Sequence, residues 1–180
     1  MRKGKKVKII TDRLIIRSLK PEDKSAYVEM ASDGSLHDIF GDCRDCEKWM
    51  GGWIREALQL DRENNPKKEY LAYAVVDKKD GIVIGSVGCS YYRDMDAVGI
   101  TYFIGSAYQR KGFASEAAKA YADFFLKTYD IVRIIATARA DNPASCKTLE
   151  RVGFRLLETR QYQDINDNAP HEYCFYEMKK

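Results

Sequence analysis

The six residues Gln109-Arg110-Lys111-Gly112-Phe113-Ala114 offer the clearest chemistry in the chain. Two cations and a glycine stand directly before a helical pattern. Ala117, Ala118, Tyr121, Phe124, Phe125 and Thr128 recur at helical spacing, while Glu116, Lys119, Asp123 and Lys127 take the other face. First-turn amides have no intrahelical acceptor and lie at the positive end of the helix dipole, so this arrangement suits an anion. Gly112 has no Cβ to hold a phosphate off the backbone, and Arg110 and Lys111 add positive charge. An amide-to-phosphate hydrogen bond contributes roughly 1.5–3 kcal/mol, so three or four supply much of a micromolar affinity. Taken alone, Gly112 can also be read as a plain turn before a surface helix. The Walker spacing G-x-x-x-x-G-K-[ST] is not met. Lys111-Gly112-Phe113-Ala114 opens like an RNA-recognition strand but continues into helical Ser115-Glu116-Ala117-Ala118, so that reading fails.

The elements that must hold this loop follow from patterning. Residues 13–17 read as a short strand, Pro21-Glu22-Asp23 opens a helix with Ala26, Tyr27 and Met30 inward, and a second helix spans about 45–60. Trp49, Trp53, Ala57 and Leu60 form its apolar face, and Gly51-Gly52 is expected to kink it. Strands at 70–76, 82–92 and 98–104 form an antiparallel meander joined by compact turns. After the 109–128 segment, the apolar run 131–137 suits a strand buried on both faces. Asn142-Pro143 is a helix cap and first position, Cys146 and Leu149 point inward, and Gly153 stops that helix. Residues 154–163 and 173–178 read as a final strand pair. The order is α+β.

Composition narrows the function class. With 180 residues and 45% hydrophobic content, one sizeable core and a single domain at 11–180 are expected. No apolar run approaches 18 residues, so no membrane span or membrane partner is expected. The net charge of +3 rests on the first eight residues, which carry five of the 30 Lys and Arg; beyond them 25 basic residues face 27 acidic ones. A near-neutral body argues against nucleic acid as partner, and residues 1–10 read as a basic flexible tail without the apolar segment of a signal peptide. Five cysteines, an odd number with no secretory signal, read as reduced thiols in a cytoplasmic protein. Cys43-x-x-Cys46 has only His37 nearby, too few ligands for structural zinc, so no metal is expected.

The loop Gln109-x-x-Gly112-x-Ala114 resembles the Q/R-x-x-G-x-G/A loop of the GNAT acyl-CoA N-acyltransferases. The wider run from Tyr102-Phe-Ile-Gly through Tyr108-Gln-Arg-Lys-Gly-Phe-Ala-Ser-Glu-Ala is similar to the RimJ/RimL-like, ribosomal-protein N-terminal acetyltransferase branch. Thr11-Asp-Arg-Leu-Ile-Ile-Arg17 and Asn142-x-x-Ser145 … Gly153-Phe154 extend the resemblance over nearly the whole chain. It implies a mixed, mostly antiparallel central sheet of about seven strands, splayed between strands 4 and 5, with helices on both faces. It implies acetyl-CoA as co-substrate and a primary amine as acceptor, on a peptide N-terminus or a small molecule, in a monomer or homodimer. The pantetheine arm would pair with the backbone of Tyr102, Phe103 and Ile104, where an amide would serve the oxyanion. The pyrophosphate would rest on the amides of Arg110, Lys111, Gly112, Phe113, Ala114 and Ser115, with the Gln109, Arg110 and Lys111 side chains around it. Asn142 and Ser145 would face the pantetheine and its sulfur, with Ser145 the thiol contact.

Two positions depart from the family pattern. The tyrosine acid that many members carry seven residues after the asparagine is Leu149 here, and the strand glutamate base is Gly99. Asp94, Asp96, Glu22, His37 and His171 are the candidate bases, and an amine already partly deprotonated at working pH would lessen the need for a strong one. The missing pair also keeps open a different class of function, a non-catalytic acyl-CoA-binding or sensor module on the same fold.

Overall fold

The computed structural model describes residues 7–180. The basic run at 1–6, most of the expected tail, lies outside them. The tail's inner end is structured: Lys8–Ile10 is a strand, β1, and Val7 before it is buried. It pairs antiparallel with β2, Leu14–Ser18, setting Ile9 opposite Ile16. The sheet therefore has eight strands rather than about seven, because Lys8-Ile9-Ile10 finds an edge on β2 that a charge count does not reveal.

The remaining strands are β3 (Tyr70–Asp77), β4 (Val83–Tyr92), β5 (Ala97–Ile104), β6 (Arg133–Arg139), β7 (Arg155–Tyr162) and β8 (His171–Lys179). Their spatial order is β1-β2-β3-β4-β5-β6-β8-β7, antiparallel except between β5 and β6. The last strand inserts between β6 and β7. Tyr173, Phe175 and Tyr176 make β8 the buried member of the final pair, whereas β7 is exposed along nearly its whole length and takes the edge.

Helices cover both faces. On one lie α1 (Lys24–Ser32), the single turn α2 (His37–Phe40) and α3 (Cys46–Glu63). Their core joins Tyr27, Met30, Met50, Ile54 and Ala57 to Ala74, Val76 and Phe103 of the sheet. Trp49 and Trp53 are half-buried beside it, so the inward stripe of α3 is rotated slightly from the expected one. Gly51 and Gly52 do not interrupt the helix. On the opposite face α4 (Phe113–Thr128) buries Ala117, Ala118, Tyr121, Ala122 and Phe125 against Leu71, Tyr73, Val87 and Ile100, and α5 (Pro143–Val152) adds Leu149 and Val152. Arg17 and buried Asp23 clamp the start of α1 with two 2.8 Å hydrogen bonds, and Asp23 also accepts the Lys20 amide at 2.8 Å. Among the described residues no helix is long and apolar enough to cross a membrane.

The sheet opens at one place. β5 pairs with β4 along its full length, from Gly85 opposite Ile104 to Tyr92 opposite Ala97. β6 pairs with β8 from Arg133 opposite Lys179 to Arg139 opposite Tyr173. Between β5 and β6 only Gly99 meets Ile135. Beyond that bridge the strands part, and the β6-facing edge of Ile100–Ile104 has no partner strand among the described residues. The splay lies where the resemblance implied.

Candidate active site

The unpaired edge of β5 runs into Gly105, a short turn at Ser106–Tyr108, and then the loop that starts α4. Gly112 caps the helix at φ +80°, ψ 4°, a left-handed conformation natural to glycine. Arg110 is also left-handed, at φ +61°. The chain thus coils tightly before the helix, and the amides of residues 110–115 have no acceptor among the described residues. The first return bond of the helix runs from the Glu116 amide to the Gly112 carbonyl, 3.1 Å. Unfilled amides at the positive end of a 16-residue helix form an anion seat.

The side chains of this loop serve partly as struts. Gln109 donates from Nε2 to the Ile104 carbonyl at 2.9 Å, tying the loop to the end of β5. Lys111 reaches back to the Ala107 carbonyl at 3.3 Å and lies 5.5 Å from the Tyr108 ring centre. Arg110 is exposed, with no side-chain partner among the described residues, and is the cation best placed to meet an anion.

Sequence reasoning placed Glu116 on the solvent face, and the structure does not. Its Oε1 accepts from the Thr11 hydroxyl at 2.6 Å and the Arg13 amide at 2.9 Å, and its Oε2 accepts Arg13 Nε at 2.7 Å. Arg13 also donates to the Lys111 carbonyl at 2.8 Å and lies 4.6 Å over the Phe113 ring. Arg13 and Glu116 therefore rivet the anion loop to the turn before β2. Burial tends to raise the Glu116 carboxyl, but the Thr11 and Arg13 hydrogen bonds outweigh it and hold it below the ordinary glutamate range. No local signal marks this pair, which is 103 residues apart.

On the far bank of the splay, α5 begins as its sequence requires. Asn142 caps it, Oδ1 accepting the Ser145 amide at 3.1 Å, and Gly153 ends it at φ +106°. The cap fixes the Ser145 backbone and turns its half-buried hydroxyl toward β5, where Tyr102 Oη lies 3.2 Å from Ser145 Oγ. The structure thus brings Tyr102 and Ser145 together by side chains, where the sequence implicated only the Tyr102 backbone. Asn142 is occupied as a cap. Phe103 points to the opposite face, its ring 5.5 Å from Phe40 and 6.1 Å from Tyr27, and Ile104 is buried among the α4 contacts.

A second hydroxyl pair crosses on that opposite face. Tyr92, at the end of β4, lies over Gly99 so closely that a Cβ there would stand 2.5 Å from its ring. Its hydroxyl is 3.2 Å from Thr137 Oγ1 on β6. Burial, and next the Asp164 charge, push the Tyr92 phenol well above its ordinary range. The Tyr92 ring thus fills the space beside Gly99. Asp164, at the start of the β7–β8 connection, was not among the residues singled out by sequence; burial raises its carboxyl. Of those that were, Glu22, His37, Asp94 and Asp96 are exposed, and Asp96 accepts the Tyr91 hydroxyl at 2.6 Å. Cys43 and Cys46 cap different carbonyls, of Gly41 and Val28. Among the described residues no three His, Cys, Asp or Glu side chains converge on a metal position.

A central sheet forced open beside a helix whose first amides are free defines an acyl-group transferase of the GNAT type. The family model described as the acetyltransferase (GNAT) domain matches residues 13–155, and the chain belongs to that family. It is an acetyltransferase. Among its relatives is the uncharacterized N-acetyltransferase YnaD of Bacillus subtilis (strain 168), 26% identical over 147 residues, spanning 82% of each chain. Similar solved structures include a GNAT-family acetyltransferase from Bacillus anthracis, with TM-score 0.80, 22% identity and 96% and 98% of the two chains covered. Another is RimL, a ribosomal L7/L12 α-N-protein acetyltransferase in complex with coenzyme A, with TM-score 0.81, 16% identity and 96% and 98% coverage.

Proposed function

We propose that this protein transfers an acetyl group from acetyl-CoA directly to a primary amine. One observation carries the reading: the edge of Ile100–Ile104, unpaired by any strand, leads through a short turn at Ser106–Tyr108 to the free amides of residues 110–115. A pantetheine arm is an extended chain with amide groups and suits a strand edge; a pyrophosphate suits a helix start. The coenzyme in the similarly folded RimL supports acetyl-CoA as the donor. In this reading Arg110 and the 110–115 amides hold the pyrophosphate, a β5 amide stabilises the tetrahedral oxyanion, and Ser145 faces the sulfur.

The acceptor side points to an α-amine. β5 carries no carboxylate, and Tyr92 fills the space beside Gly99 with a phenol that stays protonated at neutral pH. The amine must therefore arrive largely neutral. At pH 7.5 an α-amine of pKa 7.7–8.0 is about one-third neutral, whereas a lysine-type amine near 10.4 is only ~0.1% neutral. A peptide N-terminus meets that requirement, in keeping with the RimL likeness.

The test is CoA release from acetyl-CoA across a panel of peptide N-termini, amino acids, polyamines and aminoglycosides, with mass spectrometry of the products. Acetylated α-amines are the expected result. Coenzyme binding without turnover on any amine would favour the sensor module instead.

A further inference from the structure

The reaction has a leaving group as well as a nucleophile, and the departing thiolate needs a proton or an equivalent donor. Resting on the function proposed above, we propose that Tyr102 is a positioning and proton-supplying residue that acts through Ser145. The two hydroxyls, one from the unpaired edge strand and one from the capped first turn of α5, meet at 3.2 Å across the mouth of the splay.

The chemistry explains why a serine here needs a partner. An aliphatic hydroxyl is about as weak an acid as water, far weaker than a thiol such as cysteine, which lies near 8.5. Ser145 alone would become an alkoxide on protonating sulfur, and the transfer would run steeply uphill. A phenol near 10 is far closer to the thiol. With Tyr102 donating to Ser145 Oγ, the Ser145 proton is directed away from Tyr102 and toward the splay. When the tetrahedral intermediate collapses, the C–S bond breaks and its electron pair goes to sulfur. Sulfur takes the Ser145 proton, Ser145 Oγ takes the Tyr102 proton, and the phenolate recovers one from water. No oxidant or further reactant enters.

Both members are held for this role. The Ser145 amide is 3.1 Å from Asn142 Oδ1 and 3.1 Å from the Asn142 carbonyl, so its backbone does not wander. Tyr102 is half-buried, and Ser145 is the hydrogen-bond partner of its hydroxyl among the described residues. Burial raises the phenol above its ordinary range. It therefore carries its proton at neutral pH and has one to lend.

The experiment is a double-mutant cycle on Tyr102→Phe and Ser145→Ala, read as kcat for thiol release and as acetyl-CoA Kd by calorimetry. Tyr102→Phe keeps the ring packing and the backbone edge. The expected results are a fall in kcat of roughly tenfold or more for each single variant, Kd unchanged within about twofold, and no further fall in the double variant. Wild-type kcat in Tyr102→Phe, or losses that multiply in the double variant, overturn the relay while leaving acetyl transfer standing. A weakened Kd with unchanged kcat overturns it in favour of coenzyme packing. A wild-type protein that releases no thiol, to water or to any amine, overturns the transferase function and the relay together.

Discussion

Replacing Glu116 by glutamine changes one oxygen and removes one charge, and the structure says what should follow. Oε1, which takes the Thr11 hydroxyl and the Arg13 amide, survives as the amide oxygen. Oε2, which accepts Arg13 Nε at 2.7 Å and faces Nη2 at 2.6 Å, becomes an NH₂ group, so donors confront donors. A charge-assisted hydrogen bond contributes roughly 1.5–3 kcal/mol in favourable surroundings. The Arg13 side chain is 47% exposed, so screening discounts that to about 1–2 kcal/mol. For a chain of this size the expected fall in Tm is about 2–8 °C. Because the same pair holds the Lys111 carbonyl, acetyl-CoA Kd should weaken several-fold in calorimetry. Acidity supplies a second readout. The folded Glu116 carboxyl lies below its unfolded value of about 4.3, so its contribution is present above that value and lost as pH falls through the folded one. The Tm gap between wild type and variant should be constant well above the unfolded value of about 4.3 and shrink progressively as pH falls below it. An unchanged Tm and Kd in the variant, or a gap indifferent to acid, would refute the rivet.

Other expectations follow from the same geometry. Gly112→Asp should abolish acetyl-CoA binding in calorimetry while the protein still unfolds cooperatively, because aspartate tolerates the left-handed region yet sets a negative charge beside the anion seat; retained affinity would dismiss the seat. In pH profiles of kcat/KM, the acidic limb should follow each acceptor's own amine pKa. The charged groups acting on Tyr92 are Asp164 and Asp94, so a limb common to all acceptors that disappears in Asp164→Asn would make Asp164 the base. Asp23→Ala leaves Arg17 unpaired at the foot of α1 and should cost about 3 kcal/mol in urea unfolding; a loss under 1 kcal/mol would count against that clamp.

Much of the fold was legible because its signals are local. The β3–β5 meander, the cap at Asn142 and the terminator at Gly153 each depend on residues within a few positions. What escaped depends on pairs distant in sequence. Glu116 looked like a solvent-facing helix residue because its partners sit before β2. Tyr102 looked like sheet packing because Ser145 is 43 positions away. Lys8–Ile10 looked like tail because three residues have no periodicity to weigh against their charge. Gly99 gave no hint that the Tyr92 ring would lie over it.

The splay itself leads to a last expectation. Backbone groups inside a sheet ordinarily pair, and an unpaired edge between two well-paired halves is costly unless water or a ligand fills it. β5 and β6 bond fully on their outer sides, to β4 and β8, so the inner edge at Ile100–Ile104 is the part that a ligand can complete. A ligand that reaches it should stabilise the whole sheet; one that reaches only the helix start should stabilise less. At about 100 times Kd, binding adds ~2.7 kcal/mol, or roughly 5–11 °C in Tm for this size of chain. Coenzyme A should therefore raise Tm by several degrees. 3′-Phospho-ADP, which keeps the pyrophosphate and lacks the pantetheine arm, should give a markedly smaller shift at the same concentration. Equal shifts from the two would mean that the open edge of β5 is not where the coenzyme lies.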